Sequence, residues 1–183
     1  QELIALHKSR PGSLSYGSPG IGTPPHIASE LFLRAAGIGA THVPYMGGGP
    51  LMADLIGRQV AWTMEGPAVQ TPHVKAGRLR ALAVSGPQRL AALPDVPTMA
   101  QAGVPFEFIG WTGIAAPATT PKAVIARLHA ELSKVLSSAE ARDWFAAGGS
   151  EPGLMTPEEF EALIRAEHAK FGRVISDANI KIE

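Results

Sequence analysis

The residues best suited to chemistry lie in two glycine-rich turns. One is Tyr16-Gly-Ser-Pro-Gly-Ile-Gly-Thr-Pro-Pro-His26; the other is Val43-Pro-Tyr-Met-Gly-Gly-Gly-Pro50. Each follows a short β-like run and opens into a predicted helix. Loop amides in such turns point outward and helix N-termini add partial positive charge, so the pair predicts a cradle for an anion. No Lys or Arg occurs between Arg34 and Arg58, so the grip must come from backbone dipoles and hydroxyls. Pro24 and Pro25 remove two N–H donors. What remains is the amides of Gly20, Ile21, Gly22, Thr23 and His26 plus the hydroxyls of Ser18 and Thr23, a set that suits a small carboxylate better than a polyphosphate. Three or four charge-assisted bonds of about 1.5–3 kcal/mol each, less ordering costs, reach about −8 kcal/mol, a micromolar Kd. The competing reading is conformational: a turn that simply needs φ > 0 at several places. The cradle reading requires that the turn amides not be spent on the protein itself.

Other chemistries fit less well. The run from Gly17 to Thr23 lacks the Lys of a nucleotide-binding phosphate loop, and Pro25 stands where the dinucleotide fingerprint needs its third glycine. Gly47, Gly48 and Gly49 offer three unhindered backbone positions before another helix, either for a ligand or as a flexible connection. Tyr45, at a strand end, either hydrogen-bonds a ligand or packs. Glu65, also at a strand end, either accepts from a hydroxyl or ammonium group or caps a turn. Ser18, His26 and Asp54 supply the residue types of a hydrolytic triad, but Gly-Ser-Pro-Gly is not the Gly-x-Ser-x-Gly elbow. Six scattered His and no Cys leave no metal-ligand spacing. Trp62 and Trp111 read as core.

The elements that position these residues are legible from Thr-Pro pairs at 23–24, 71–72, 120–121 and 156–157, since Thr suits a helix N-cap and Pro the first helical position. Thr156-Pro-Glu-Glu159 is also a capping box. Helices are predicted at 24–36, 50–56, 72–76, 121–136 and 157–176, with Gly37, Gly57 and Gly77 just past three of them. Val124, Ile125, Leu128, Leu132, Val135 and Leu136 form one apolar face; Phe160, Leu163, Ile164, Phe171, Val174 and Ile175 form another. Strand-like runs at 14–17, 42–45, 60–64, 79–84 and 106–116 alternate with the first helices, which implies an α/β fold with a largely parallel sheet. Ligands of such sheets bind beyond the carboxyl ends of the strands. The stretch 87–105 reads as a surface connection with a short helical piece near 98–102.

The formal net charge of zero predicts no nucleic-acid partner. Zero cysteines exclude a disulfide framework and thiolate chemistry and fit a periplasmic protein. No apolar run is long enough to span a membrane as a helix. Gln1 leads straight into an amphipathic pattern of Leu3, Ile4 and Leu6 without a signal peptide, which reads as a fragment or a processed product.

The turn at 16–26 resembles the periplasmic solute-binding receptors of tripartite tricarboxylate transporters, the Bug family. So do His42-Val-Pro-Tyr45, Leu79-Arg-Ala-Leu-Ala-Val84, Leu93-Pro-Asp-Val-Pro-Thr98, Trp111 with Ala115-Ala-Pro117, and Thr156-Pro-Glu-Glu-Phe160. The resemblance covers essentially the whole chain. It implies a type II periplasmic-binding-protein fold, in which two α/β lobes close on a small organic acid. Here residues 1–108 would form a nearly complete ligand-binding second lobe. Residues 109–183 would supply a return strand and the C-terminal helices of the first lobe, whose N-terminal part is lacking. Carried over, Ser18, Gly20, Gly22, Thr23 and His26 map onto the ligand loop, with Tyr45, Gly48 and Glu65 near the cleft. The implied partners are a small organic acid and the membrane subunits of a transporter, with no cofactor, no metal and no catalysis. The implied location is periplasmic. Two positions depart from the family pattern: Met46 replaces a usual Lys, and Glu65 stands where Asp or a small polar residue is common. An uncovered apolar face after Pro121 predicts self-association if the chain stands alone. A ligand-presenting sensor and, more remotely, a hydrolase using Ser18 are the competing functions.

Overall fold

In the computed structural model, residues 1–177 are described; positions 178–183, the end of the predicted 109–183 segment, lie outside the described residues. The elements run α1 (Glu2–Ser9), β1 (Ser15–Ser18), α2 (Pro24–Ala36), β2 (Thr41–Pro44), α3 (Gly48–Ile56), β3 (Trp62–Thr63), α4 (Pro67–Lys75), α5 (Lys122–Leu136), α6 (Ala139–Ala147) and α7 (Pro157–Asp177). The sheet has the order β2-β1-β3, and both pairings are parallel, with Tyr16 opposite His42 on one side and Trp62 on the other. The chain leaves central β1 toward β2, then crosses back to β3. That reversal makes a switch point at the carboxyl ends of β1 and β3, the place where open α/β sheets hold ligands.

Two buried clusters fix these strands. Ile4, Tyr16, Phe32, Leu33, Trp62 and Val104 form one; Leu51, Met52 and Val60 form the other. The second cluster depends on Gly17. A Cβ there would lie 2.3 Å from Leu51 Cδ1 and 3.2 Å from Tyr45 Cε2, so a side chain would have to displace the buried Leu51 through which α3 settles onto β1. Among the described residues, nothing after Val104 is buried.

Several expectations hold to the residue and others shift for identifiable reasons. α2 spans the predicted 24–36 and ends on left-handed Gly37 (φ 61°), as a helix C-terminus prefers. The Thr156 box forms: the Thr156 amide donates to Glu159 Oε2 at 2.8 Å and the Glu159 amide to Thr156 Oγ1 at 3.2 Å. α3 starts at Gly48 rather than Pro50, because the glycines themselves take helical conformation after Gly47 turns the chain at φ 104°. α4 starts at Pro67, not Pro72. Gly66-Pro67 provides the start, and Pro72 lies inside the helix with Thr71 buried. Pro121 occupies the N-cap of α5, displacing the expected Thr120. Gly57 is not left-handed (φ −74°); Arg58 takes that conformation instead (φ 61°). α6 has no counterpart among the predicted helices; Ser138 caps it by accepting from the Ala141 amide at 3.1 Å.

The runs 79–84 and 106–116 are not strands. The first makes a single parallel bridge, Val84 to Thr98, and the second reaches the residue just after the first through Phe108 N–H to Ser85 O at 3.0 Å. A ladder needs a neighbouring strand, and neither run has one among the described residues. The expected helical piece at 98–102 is a turn closed by Ala102 N–H to Thr98 O at 2.9 Å. Trp62 is core, but Trp111 is 43% exposed, edge-on to Phe160 with ring centroids 5.4 Å apart. Among the described residues, no helix is long and apolar enough to cross a membrane.

Candidate functional site

Three parallel strands deliver three turns to one edge: Ser18–Thr23 after β1, Tyr45–Gly47 after β2, and Glu65–Gly66 after β3. The first two are laced together. Tyr45 N–H donates to Ser18 O at 2.9 Å and Gly47 N–H to Pro19 O at 3.0 Å. Val69 Cγ1 of α4 approaches Gly48, 3.9 Å from where a Cβ would stand, so the third turn borders the second.

Ser18 is the hub of the first turn. It is fully buried. Its hydroxyl donates to Gly20 O at 3.0 Å and accepts from Gly20 N–H at 3.3 Å. His42 Nε2 lies 2.7 Å from the same oxygen. With the Ser18 proton on Gly20, every group is satisfied if His42 carries its proton on Nε2 and donates it. Thr23 Oγ1 also donates to Gly20 O, at 2.7 Å. The Gly22 amide donates to His26 Nδ1 at 3.0 Å, closing a small loop across the helix start. Gly20 (φ 156°) and Gly22 (φ 74°) adopt backbone angles that only glycine takes without strain.

The free-donor expectation is therefore met only in part. The Gly20, Gly22 and Thr23 amides, the last donating to Gly20 O at 3.4 Å, and the Ser18 and Thr23 hydroxyls are engaged within the protein. The amides of Ile21, Gly48 and Gly49 have no acceptor among the described residues, and two of these open α3, where the helix dipole adds to them. Tyr45 donates its hydroxyl to Asp54 Oδ2 at 2.8 Å and lays its ring on Gly17; burial, then Asp54, raises its pKa. Asp54 is thus committed to Tyr45, and no triad assembles with Ser18 and His26. Glu65 Oε1 accepts from Gly66 N–H at 2.9 Å, the turn-capping alternative, while its Oε2 is buried without a partner. Met46 stands 96% exposed at the rim. Among the described residues, no group of acidic, Cys or His side chains is arranged to hold a metal.

Beneath the turn runs a stack that the sequence reading did not assemble. His26 and His42 lie face to face, centroids 4.0 Å apart and 8° from parallel. His42 stacks on Tyr16 at 4.8 Å, and Tyr16 on Trp62 at 4.9 Å. Tyr16 donates to Glu30 Oε1 at 2.5 Å, and burial first, then Glu30, raises its pKa. Burial pushes the His42 imidazole down to about 4, helped by neighbouring His26 and opposed by Glu30. Burial also lowers His26, against the pull of Glu30. Both rings are neutral at pH 7. The signal was present in the parallel register that sets Tyr16 beside His42 and Trp62; it becomes readable only once the strand order is known.

Comparison with known proteins gives this edge its context. Residues 1–180 match the family described as tripartite tricarboxylate transporter family receptor. Protein BugT of Bordetella pertussis is 33% identical over 183 residues, covering 99% of this chain and 56% of BugT. The solved structure of R. palustris Rpa4515 with adipate superposes with a TM-score of 0.94 at 33% identity, covering 98% of this chain and 60% of that one. The periplasmic binding protein BugD does so with a TM-score of 0.91 at 28% identity, covering 100% and 62%. The chain therefore spans a little over half the length of these relatives. The architecture is the α/β fold of periplasmic binding proteins, and the chain belongs to the tripartite tricarboxylate transporter receptor family, the solute receptors that include the Bug proteins.

Proposed function

We propose that this chain carries the carboxylate-binding part of a periplasmic solute receptor, with residues 1–108 as the binding lobe and 109–183 as a segment returning to a second lobe. One observation supports the reading: among the described residues, the amides of Ile21 after β1 and of Gly48 and Gly49 after β2 are unpaired at the carboxyl edge of a parallel sheet, with no basic side chain between Arg34 and Arg58. Polar N–H groups without a partner are sites for an acceptor, and the dipole at α3 selects an anionic one. The adipate bound to a relative of the same fold supports the same ligand class. Ser18, Gly20, Gly22, Thr23 and His26 shape the first wall, Tyr45 and Gly48 the second, and Glu65 the third. The captured acid is handed to the membrane subunits of a tripartite transporter. Catalysis is not its role: Ser18 is sealed from solvent, and Asp54 is held by Tyr45.

A thermal-shift screen with small mono- and dicarboxylates, adipate included, tests this. A ligand at 100 times its Kd adds about 2.7 kcal/mol of stability, a clear rise in Tm. Thr23→Val removes the hydroxyl that braces Gly20 O and should weaken the best ligand roughly fivefold to tenfold, the worth of one hydrogen bond. A screen without a single stabilising acid, or an unchanged affinity for Thr23→Val, refutes the reading or the residue's role in it.

A further inference from the structure

We propose that His26 is a placeholder for the ligand: before binding, its Nδ1 accepts the Gly22 amide, and an arriving carboxylate takes over that amide while His26 takes up one proton. The inference rests on the carboxylate-receptor reading above. Its basis is the loop closed by Gly22 N–H and His26 Nδ1 at 3.0 Å. An Nδ1 that accepts carries no proton, so the ring before binding is the Nε2–H tautomer.

The surroundings of the ring govern its response when Gly22 turns to a ligand. His26 is 6% exposed, with one face against His42, so water cannot readily replace the lost donor. A bare Nδ1 in that position is an unsatisfied acceptor, which proteins avoid. Protonation converts it into a donor aimed at the group that displaced it, and a charge-assisted bond forms to the carboxylate. The balance is one proton taken from solvent onto Nδ1 for each carboxylate bound.

The charges around the ring permit one positive charge and no more. From its own helix Glu30 favours the imidazolium; from β1, Tyr16 keeps its proton and holds Glu30 in place; from β2, His42 stays neutral at any pH above about 4. Before binding, burial holds the His26 pKa below its usual value. A bound carboxylate raises it. Between those two pKa values binding consumes a proton, so affinity falls as pH rises, by up to tenfold per pH unit, and levels off above and below that window.

Calorimetry of the wild-type protein with adipate, in buffers of differing ionisation heat from pH 6.5 to 8, reads the proton directly. The expected result is net uptake approaching one proton inside the window, with the affinity slope to match. His26→Asn, whose amide oxygen can still accept from Gly22 but cannot titrate, should show no uptake whatever its affinity. Imidazole nitrogen shifts in the wild-type protein supply a second measurement free of folding effects: one protonated ring nitrogen before adipate is added, two with adipate bound. Binding without proton uptake, or uptake that persists in His26→Asn, overturns the placeholder and leaves the receptor standing. Failure of adipate and every other carboxylate to bind overturns both.

Discussion

Replacing Gly17 by Ala tests the packing on which the site is built. Gly17 lies in the middle of β1 with ordinary strand geometry, so Ala meets no backbone penalty, and the loss of unfolded-state freedom would by itself stabilise by ~0.4–1 kcal/mol. The new methyl, however, would stand 2.3 Å from Leu51 Cδ1, 3.2 Å from Tyr45 Cε2 and 3.3 Å from Val60 Cγ2. Carbon atoms prefer about 3.5–4.0 Å, so Leu51 must retreat by more than about 1 Å. It is fully buried, wedged among Met52, Val60, Val43 and Leu55, and its retreat pushes α3 off the sheet. Overpacking of this kind costs ~1–3 kcal/mol, leaving a net loss of roughly 1–2 kcal/mol after the chain-entropy gain, or ~2–8 °C in Tm for a chain of this size. Because α3 begins at Gly48, the same displacement drags the Gly48 and Gly49 amides away from the first turn, and carboxylate affinity should fall too. Thermal melts of Gly17→Ala, Leu51→Ala and the double variant decide the matter. Leu51→Ala alone should cost ~2–5 kcal/mol, and the double variant should cost less than the sum by about the size of the clash. A Gly17→Ala protein as stable as wild type, or strictly additive costs, would refute the argument.

Tyr45→Phe removes the bond to Asp54 and should lower stability by ~1 kcal/mol in a denaturant melt; no change would mean that the ring packing alone holds the turn. Thr156→Ala deletes one arm of the α7 capping box and should cost ~1 kcal/mol of helix stability, read by far-UV circular dichroism. Acidification should destabilise the fold through His42. Its folded pKa of about 4 lies below the ordinary 6.5, so the unfolded chain binds the extra proton first. That stabilising contribution is complete above about pH 6.5 and fades as pH falls toward about 4; His42→Asn should flatten this part of the Tm–pH curve. Finally, size-exclusion chromatography of the 183-residue chain should show self-association, since Ile109, Trp111, Ile114, Val124, Leu128, Val135 and Trp144 are all exposed; a compact monomer would count against it.

What could be read from sequence was whatever chemistry is local. Pro at the first helical position, Thr156 with Glu159, and Gly37 past α2 act over three or four residues, and those boundaries held. Runs 14–17, 42–45 and 60–64 were recognisable because β-rich residues ended at turn-forming ones. Runs 79–84 and 106–116 carry the same pattern, but pairing is decided by a neighbouring backbone that the run itself does not encode. The site divides the same way. The turns were visible as glycine spacing, yet the identity of the acceptors for their amides was not. Ser18 Oγ takes one through a tight local turn, and His26 Nδ1 takes another by lying one helical turn on. His42, 24 residues from Ser18, reaches it only through the β1–β2 register.

On the proposed reading, the stack explains how a site with no Lys or Arg between Arg34 and Arg58 could be specific for a charged ligand. A lysine would attract any anion at long range and hold it through one mobile point charge. Here the donors are backbone amides whose direction is set by strands β1 and β2, and those strands are tied by the Ser18–His42 contact and the Tyr16–His42 stack. The unpaired Ile21, Gly48 and Gly49 amides need no exchange of partner when the ligand arrives, the same reason that preorganised donors outperform flexible ones. The requirement is that the stack beneath them carry no more than one positive charge. Two imidazoles 4.0 Å apart cannot both be protonated without repulsion that would part β2 from α2 and with it the two turns. Keeping His42 neutral is therefore a condition of the proposed grip, and its partial burial between Tyr16 and His26 supplies that condition.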